Sequence, residues 1–228
     1  MMNSRELLSA TPSIGELEET RVTANEEIAP GIFRLTYPRA HDFVPGQTVA
    51  LTVEPSLPAR YYSIASGCEE QGVEILYDLV PDGLLTPRLA RLAPGGRLYA
   101  SRPFGAFRDG EGESVWIAAG TGIAPFASMV RSGMRAGRTL IHGARTLAGL
   151  YERSYFSSML PERYVPCCSA ENAPGVFSGR STTWLSTHDL PRVDRWMLCG
   201  SSRMVVDARD ILIAKGVPFT GVIAEIYF

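Results

Sequence analysis

Apolar and polar residues alternate through the first half of the chain and gather into short unbroken apolar runs in the second. Alternation over Glu16 to Glu27 and over Gly31 to Tyr37 predicts two strands, separated by the turn signal Ala29-Pro30-Gly31. Gln47 to Glu54 follows a Pro45-Gly46 turn and predicts another. Arg60 to Ala65 and Val73 to Val80 predict two more, the second stopping at Pro81-Asp82-Gly83. Leu85 to Leu92 reads as one short helix, and Arg97 to Ser101 as a strand after Pro94-Gly95-Gly96. Many short strands with regular turn punctuation predict a small antiparallel barrel.

The pattern changes near Gly110 to Ser114. Val115-Trp116-Ile117-Ala118-Ala119 is apolar throughout, as a strand buried on both faces of a parallel sheet must be. Pro125 to Ala136 then carries helical spacing at Phe126, Met129, Val130 and Met134. Strands are predicted over Arg138 to Gly143, Tyr164 to Ser169, Trp196 to Cys199 and Val222 to Tyr227. Helices are predicted over Tyr151 to Leu160, from Thr182 to Leu185 onward, and over Ser202 to Lys215. Alternating strands and helices imply an α/β layer around a parallel sheet. The expected organisation is α+β in two domains: an N-terminal arm over 1–16, an antiparallel β-barrel over 17–110 and an α/β parallel-sheet nucleotide-binding domain over 111–228.

Composition narrows the function classes. A length of 228 residues suits two small domains, and a net charge of −2 gives no global pull toward nucleic acid or an anionic membrane. No apolar run reaches the roughly 20 residues of a membrane span. The N-terminus lacks a basic-then-apolar signal pattern, so a cytoplasmic protein is expected. Cys68, Cys167, Cys168 and Cys199 have no CxxC spacing and none that suits an iron–sulfur cluster; no metal is expected. A monomer is expected.

Three short stretches carry candidate chemistry. Arg60-Tyr61-Tyr62-Ser63 offers a guanidinium fork for a pyrophosphate, a tyrosine for stacking on a flat ring and a hydroxyl for its nitrogen. In an extended segment Arg60 and Tyr62 share one face, Tyr61 and Ser63 the other. Gly120-Thr121-Gly122 follows a predicted strand and precedes a helix, the setting of a phosphate-binding turn, although Pro125 departs from the full glycine fingerprint. Cys199-Gly200 ends another buried strand, so the ends at Gly120 and Gly200 are expected to border one crevice. Each stretch also has an ordinary reading: a tyrosine-rich strand edge, a plain connection, a structural thiol. Arg88, Arg91, Arg97, Arg102 and Arg108 have no acidic residue among them and read as a solvated basic face or a docking surface for an acidic partner.

In this order, these residues resemble the ferredoxin–NADP(H) reductase family in its small bacterial form. The resemblance runs from Leu17 to Phe228 and rests on Arg60, Tyr62 and Ser63; on Val80 to Leu89 with Pro94-Gly95-Gly96; on Gly120 to Pro125; on Met197-Leu198-Cys199-Gly200; and on the closing Glu225 and Tyr227. It implies FAD held by Arg60, Tyr61, Tyr62, Ser63, Tyr77, Leu79, Val80, Leu85 and Thr86. It implies catalytic roles for Ser63 near flavin N5, Cys199 beside the nicotinamide and Glu225 in the charge and proton balance. Tyr227 or Phe228 would cover the flavin. Gly120, Thr121, Gly122 and Gly200 would border the nicotinamide nucleotide, and Arg145, Arg153 and Arg180 would read a 2′-phosphate. Ala170 stands where the family often has arginine, but NADPH is still favoured over NADH. The implied activity moves electrons between NADPH and a separate ferredoxin or flavodoxin. The rivals are an NAD(P)H-dependent reductase for an oxygenase or free flavin, and a non-catalytic FAD-binding redox sensor.

Overall fold

A computed structural model of the chain describes residues 16–227; residues 1–15 and Phe228, including the arm and the terminal aromatic of the sequence reading, lie outside the described residues. The first half contains β1 (Glu18–Arg21), β2 (Ala24–Ala29), β3 (Ile32–Pro38), β4 (Thr48–Thr52), β5 (Arg60–Ser63), β6 (Gly72–Asp78), α1 (Thr86–Leu89) and β7 (Arg97–Ala100). The strands form two antiparallel sheets ordered β1-β7-β4-β5 and β2-β3-β6. A bridge between Ile64 and Ile75 joins the open edge beyond β5 to β6. The chain closes the other seam by running from β1 straight into β2. Inward residues Leu35, Leu51, Ile64, Ile75, Leu89 and Leu98 fill the barrel and are fully buried.

The alternation over Glu16 to Glu27 predicts one strand, and the structure divides it. Val22 exchanges backbone hydrogen bonds with Gly95 and Gly96, whereas the next residue, Thr23, donates to Thr36. The partner changes between neighbouring residues, so β1 belongs to one sheet and β2 to the other.

The second half contains β8 (Ser114–Ala119), α2 (Ala124–Arg131), β9 (Arg138–Ala144), α3 (Arg153–Met159), β10 (Tyr164–Cys168), β11 (Phe177–Ser178), α4 (Ser181–Thr187), β12 (Arg195–Ser201), α5 (Ser202–Ala214) and β13 (Val222–Tyr227). These strands form one parallel sheet ordered β11-β10-β9-β8-β12-β13. The chain leaves β8 toward β9 on one side, and β12 returns on the other. The switch point therefore lies at the carboxyl end of β8, where open α/β sheets bind ligands. Helix α2 ends at Arg131 rather than continuing to Ala136. Gly133, at φ +92°, donates to the Val130 carbonyl and Met134 to that of Met129, a left-handed cap that stops the helix.

Two charged clusters join the halves. Asp109, in the connection from β7 to β8, has a fully buried carboxylate. It accepts from Ser114 Oγ, from Trp116 Nε1 at 2.9 Å and from Arg195 at 2.6 Å, with Arg138 Nε at 2.8 Å. The second cluster alternates in sign. Arg34 on β3 meets Glu74 at 3.4 Å and also Glu152; Arg131 on α2 meets Glu74 at 2.8 Å and also Glu152. Replacing Arg131 with Met leaves two part-buried carboxylates facing one guanidinium. The expected loss is about 1–3 kcal/mol of stability, read as a lower urea midpoint with an unchanged slope. An unchanged midpoint would show that the cluster contributes nothing to the fold.

Candidate functional site

The carboxyl ends of β12 and β13 bring three of the expected residues together. Cys199 lies opposite Glu225 in the parallel register and beside Ala118 of β8. Glu225 faces inward on β13 toward the barrel. Ser63 Oγ donates to Glu225 Oε2 at 3.0 Å, and Thr48 Oγ1 donates to Oε1 at 3.1 Å. Cys199 Sγ is 4.0 Å from Oε2. Strands β4 and β5 thus supply hydroxyls from one half, while β12 and β13 supply the sulfur and the carboxylate from the other. Thr48 was not foreseen; nothing in its sequence surroundings marks it.

Burial raises the Glu225 carboxyl above the usual carboxylate range, and the Ser63 and Thr48 hydrogen bonds only partly offset this. Burial, followed by the Glu225 charge, pushes the Cys199 thiol well above its ordinary value. Cys199 is therefore a neutral, fully buried thiol and not a nucleophile. The Tyr227 hydroxyl lies against Ser63 and Cys199, buried and without a hydrogen-bond partner among the described residues. Its ring packs into the core cluster that contains Met197 and Cys199.

The remaining barrel residues divide. Arg60 is exposed, and its guanidinium has no partner among the described residues. Tyr62 is half-buried, edge-on to Tyr77 at 6.3 Å. Tyr61 leans on Phe104 from the opposite face, with ring centroids 5.3 Å apart. Val80 is exposed and Leu79 is half-buried. Tyr77 and Leu85 are buried in the barrel core. Tyr77 stacks on Phe33 and donates its hydroxyl to Asn25 at 3.1 Å, and Leu85 is buried in the same cluster. Thr86 uses its hydroxyl on the Val80 N–H at 2.9 Å, pinning the Pro81-Asp82-Gly83 turn.

The glycine turn also divides. Gly120 has φ +58° and open space around its Cα. At Gly122 an added Cβ would lie 2.4 Å from the Cys199 carbonyl oxygen. Gly122 thus serves the close approach of two strand ends, and Gly120 faces the crevice. Thr121 donates to Asp78 at 2.7 Å, tying the turn to β6.

That crevice encloses about 770 Å³ over the strand ends. Gly120, Arg145 and Arg180 line it, together with Tyr151, Glu171 and Arg203, which the sequence reading missed. Ala29, Pro30 and Ile32 of the barrel form one wall. Arg153 is not among the lining residues; its guanidinium donates to the Pro174 carbonyl at 3.0 Å, held there by its place at the start of α3. Arg203 had a legible signal: it follows Cys199-Gly200 closely, at the start of a predicted helix.

The basic stretch is less uniform than its sequence. Glu19 of β1 lies 3.4 Å from Arg97, and Glu18 lies 3.3 Å from Arg102. Arg21, Arg88, Arg91 and Arg97 still surround a hollow of about 600 Å³ in which, among the described residues, Glu54 is the one acidic lining residue.

A closed antiparallel barrel set against the switch point of a parallel sheet, with hydroxyls from one meeting a carboxylate and a sulfur from the other, defines a two-part dinucleotide-dependent oxidoreductase fold. No family model matches the sequence. The aromatic O-demethylase reductase subunit of Amycolatopsis is 34% identical over 182 residues, 72% of this chain and 54% of that protein. The chain thus spans about half the length of this relative. The flavodoxin/ferredoxin–NADP reductase of Escherichia coli is 31% identical over 83% of this chain and 87% of its own length. A crystal structure of the Neisseria gonorrhoeae ferredoxin NADP+ reductase, with FAD and NADP bound, superposes with a TM-score of 0.83 at 22% identity, covering 94% of this chain and all of that one. The chain belongs to the ferredoxin–NADP reductase family.

Proposed function

We propose that this chain is an FAD-dependent reductase that moves electrons between NADPH and a ferredoxin or flavodoxin. The observation that carries the reading is the meeting of Ser63, Cys199 and Glu225 beside a crevice large enough for a dinucleotide. Bound FAD accepts a hydride and releases electrons singly. The residues suit that group. The unpartnered Arg60 guanidinium fits a pyrophosphate, and the half-buried Tyr62 ring fits a flat aromatic system. Leu79 and Val80 offer apolar contact beside them.

Ser63 spends its proton on Glu225 and so turns its oxygen lone pairs toward the cofactor side. Glu225, whose carboxyl burial raises, is suited to take up a proton at a higher pH than an exposed glutamate and to return it through Ser63 Oγ. Neutral Cys199 packs where a nicotinamide approaches and adds no charge that would repel hydride. Gly120 leaves backbone room for the nucleotide, and Arg145 with Arg180 supplies guanidinium partners for a 2′-phosphate.

The change from antiparallel to parallel sheet between Ala100 and Ser114 supports a division into 17–110 and 111–228. All four cysteines are free thiols, which suits a reducing cytoplasm. Among the described residues, no helix is long and apolar enough to cross a membrane. The basic hollow around Arg88 and Arg91 suits an acidic electron carrier.

A second reading, the reductase of an oxygenase system, is favoured by the 34% identity to the Amycolatopsis demethylase subunit. Anaerobic titration of the FAD-loaded protein with NADPH and with NADH tests the first reading. Flavin bands bleached at lower NADPH than NADH are expected. No flavin binding, or no bleaching by either nucleotide, would overturn the proposal. Faster electron delivery to an oxygenase component than to ferredoxin or flavodoxin would select the second reading.

A further inference from the structure

The dinucleotide crevice has guanidinium groups at two separate ends. Arg145 and Arg180 stand over β9 and the start of α4, with Glu171 nearby. Arg203 stands on the first turn of α5, after β12, beside Ser201 and near the Gly120 turn. Between these ends run the strand tips in the order β10-β9-β8-β12. From β9, which Arg145 follows, to β12 are two strand intervals of about 4.8 Å, roughly 10 Å, and Arg180, after β11, lies two intervals farther. The cations therefore stand at different stretches of the crevice, on opposite sides of the β8 tip. NADPH carries phosphate in two places: the 2′-phosphate at its adenosine end and the pyrophosphate nearer the nicotinamide.

Arg203 lies near the nicotinamide end, because Cys199 and Gly200 immediately precede its helix. It is largely exposed, 79% at the side chain, and its acidic neighbour Asp207 is 3.8 Å from Nε, beyond hydrogen-bond distance. Asp207 also lines the crevice, one turn along the helix, and leaves the Arg203 donors unsaturated. Arg203 is therefore available to an anion, and it lies at the wrong end for the 2′-phosphate.

We infer that Arg203 binds the pyrophosphate shared by NADH and NADPH, leaving Arg145 and Arg180 to read the 2′-phosphate. Arg203 thus raises affinity for both nucleotides without choosing between them. The inference rests on the reading of this chain as a nicotinamide-dependent reductase.

Calorimetric titration of the FAD-loaded full chain with NADP+, NAD+ and 2′-AMP separates the possibilities. Arg203→Ala is expected to weaken NADP+ and NAD+ alike by about tenfold and to leave 2′-AMP unchanged, with Arg203→Lys recovering part of the loss. Arg180→Ala is expected to weaken NADP+ and 2′-AMP and to spare NAD+. Loss confined to NADP+ and 2′-AMP in Arg203→Ala would assign Arg203 to the 2′-phosphate and overturn the inference. Unchanged binding of all three probes by that variant would also overturn it, while leaving the reductase reading intact. A wild-type protein that binds neither dinucleotide would overturn the reading itself and the inference with it. Arg203 is exposed on the helix surface, so the variants should melt with the wild type, and equal melting temperatures check this.

Discussion

Glu225→Gln is expected to slow reduction of the bound flavin by NADPH about 100-fold while the flavin remains bound. The substitution keeps the shape of the side chain; one of the Ser63 and Thr48 hydroxyls can still donate to its oxygen, and the other can turn to accept from its NH2. It removes the group that can take up a proton at this position. Burial already raises the Glu225 carboxyl above the usual range, so the protonated form persists at a higher pH than for an exposed glutamate. In the wild type, the reduction rate should therefore carry a titration above the ordinary carboxylate range; in Glu225→Gln that limb should vanish. Stopped-flow absorbance with excess NADPH at several pH values reads both effects. Ser63→Ala should also slow reduction with flavin retained, because Ser63 connects Glu225 to the cofactor side. A Glu225→Gln protein reduced at the wild-type rate would remove the carboxylate from the mechanism.

Asp109→Asn is expected to destabilise the fold by about 3–5 kcal/mol, since it strips the charge from a buried site that Arg138 and Arg195 face. For a chain of this size that corresponds to a fall in Tm on the order of 10 °C. The effect has a pH signature. Burial raises the Asp109 carboxyl, but hydrogen bonds from Ser114, Arg195, Trp116 and Gly110 outweigh it and hold the group below its ordinary 3.8. Its stabilisation is complete above the unfolded value and is lost as pH falls through the lower folded value. Scanning calorimetry should find a large Tm difference between wild type and variant at pH 7, and a smaller one as the pH is brought below 3.8. A difference that stays constant through that range would mean that the ion pairs contribute little.

Much of this architecture was legible because period-two alternation and unbroken apolar runs are direct consequences of which faces are buried. Val115 to Ala119 could only be a strand covered on both sides, and it forms the middle of the parallel sheet. What escaped was decided by contacts distant in sequence. Val22 and Thr23 alternate like a strand, yet their hydrogen bonds go to different sheets. The two-residue β11 is too short to leave a pattern. Ser63, Cys199 and Glu225 were identified by motif, and they do meet. Thr48 completes the carboxylate's hydrogen bonds from a strand with no distinguishing sequence. For Tyr77 and Leu85 the motif points to a region, and the structure adds that both side chains face the barrel interior. Arg153 was named from the sequence and Arg203 was not, and the helix that carries each one places Arg203, not Arg153, in the crevice lining.

The barrel wall of the crevice has a consequence for protein engineering. Ala29, Pro30 and Ile32 come from the hairpin between β2 and β3, yet they face the nucleotide end of the molecule. Here a chimera that keeps the parallel sheet and imports another barrel would also import a new hairpin, and with it a new side to the cofactor pocket. Coenzyme affinity in such hybrids should track the donor of the hairpin as well as the donor of the sheet, and grafting residues 29–32 alone should carry part of that difference across.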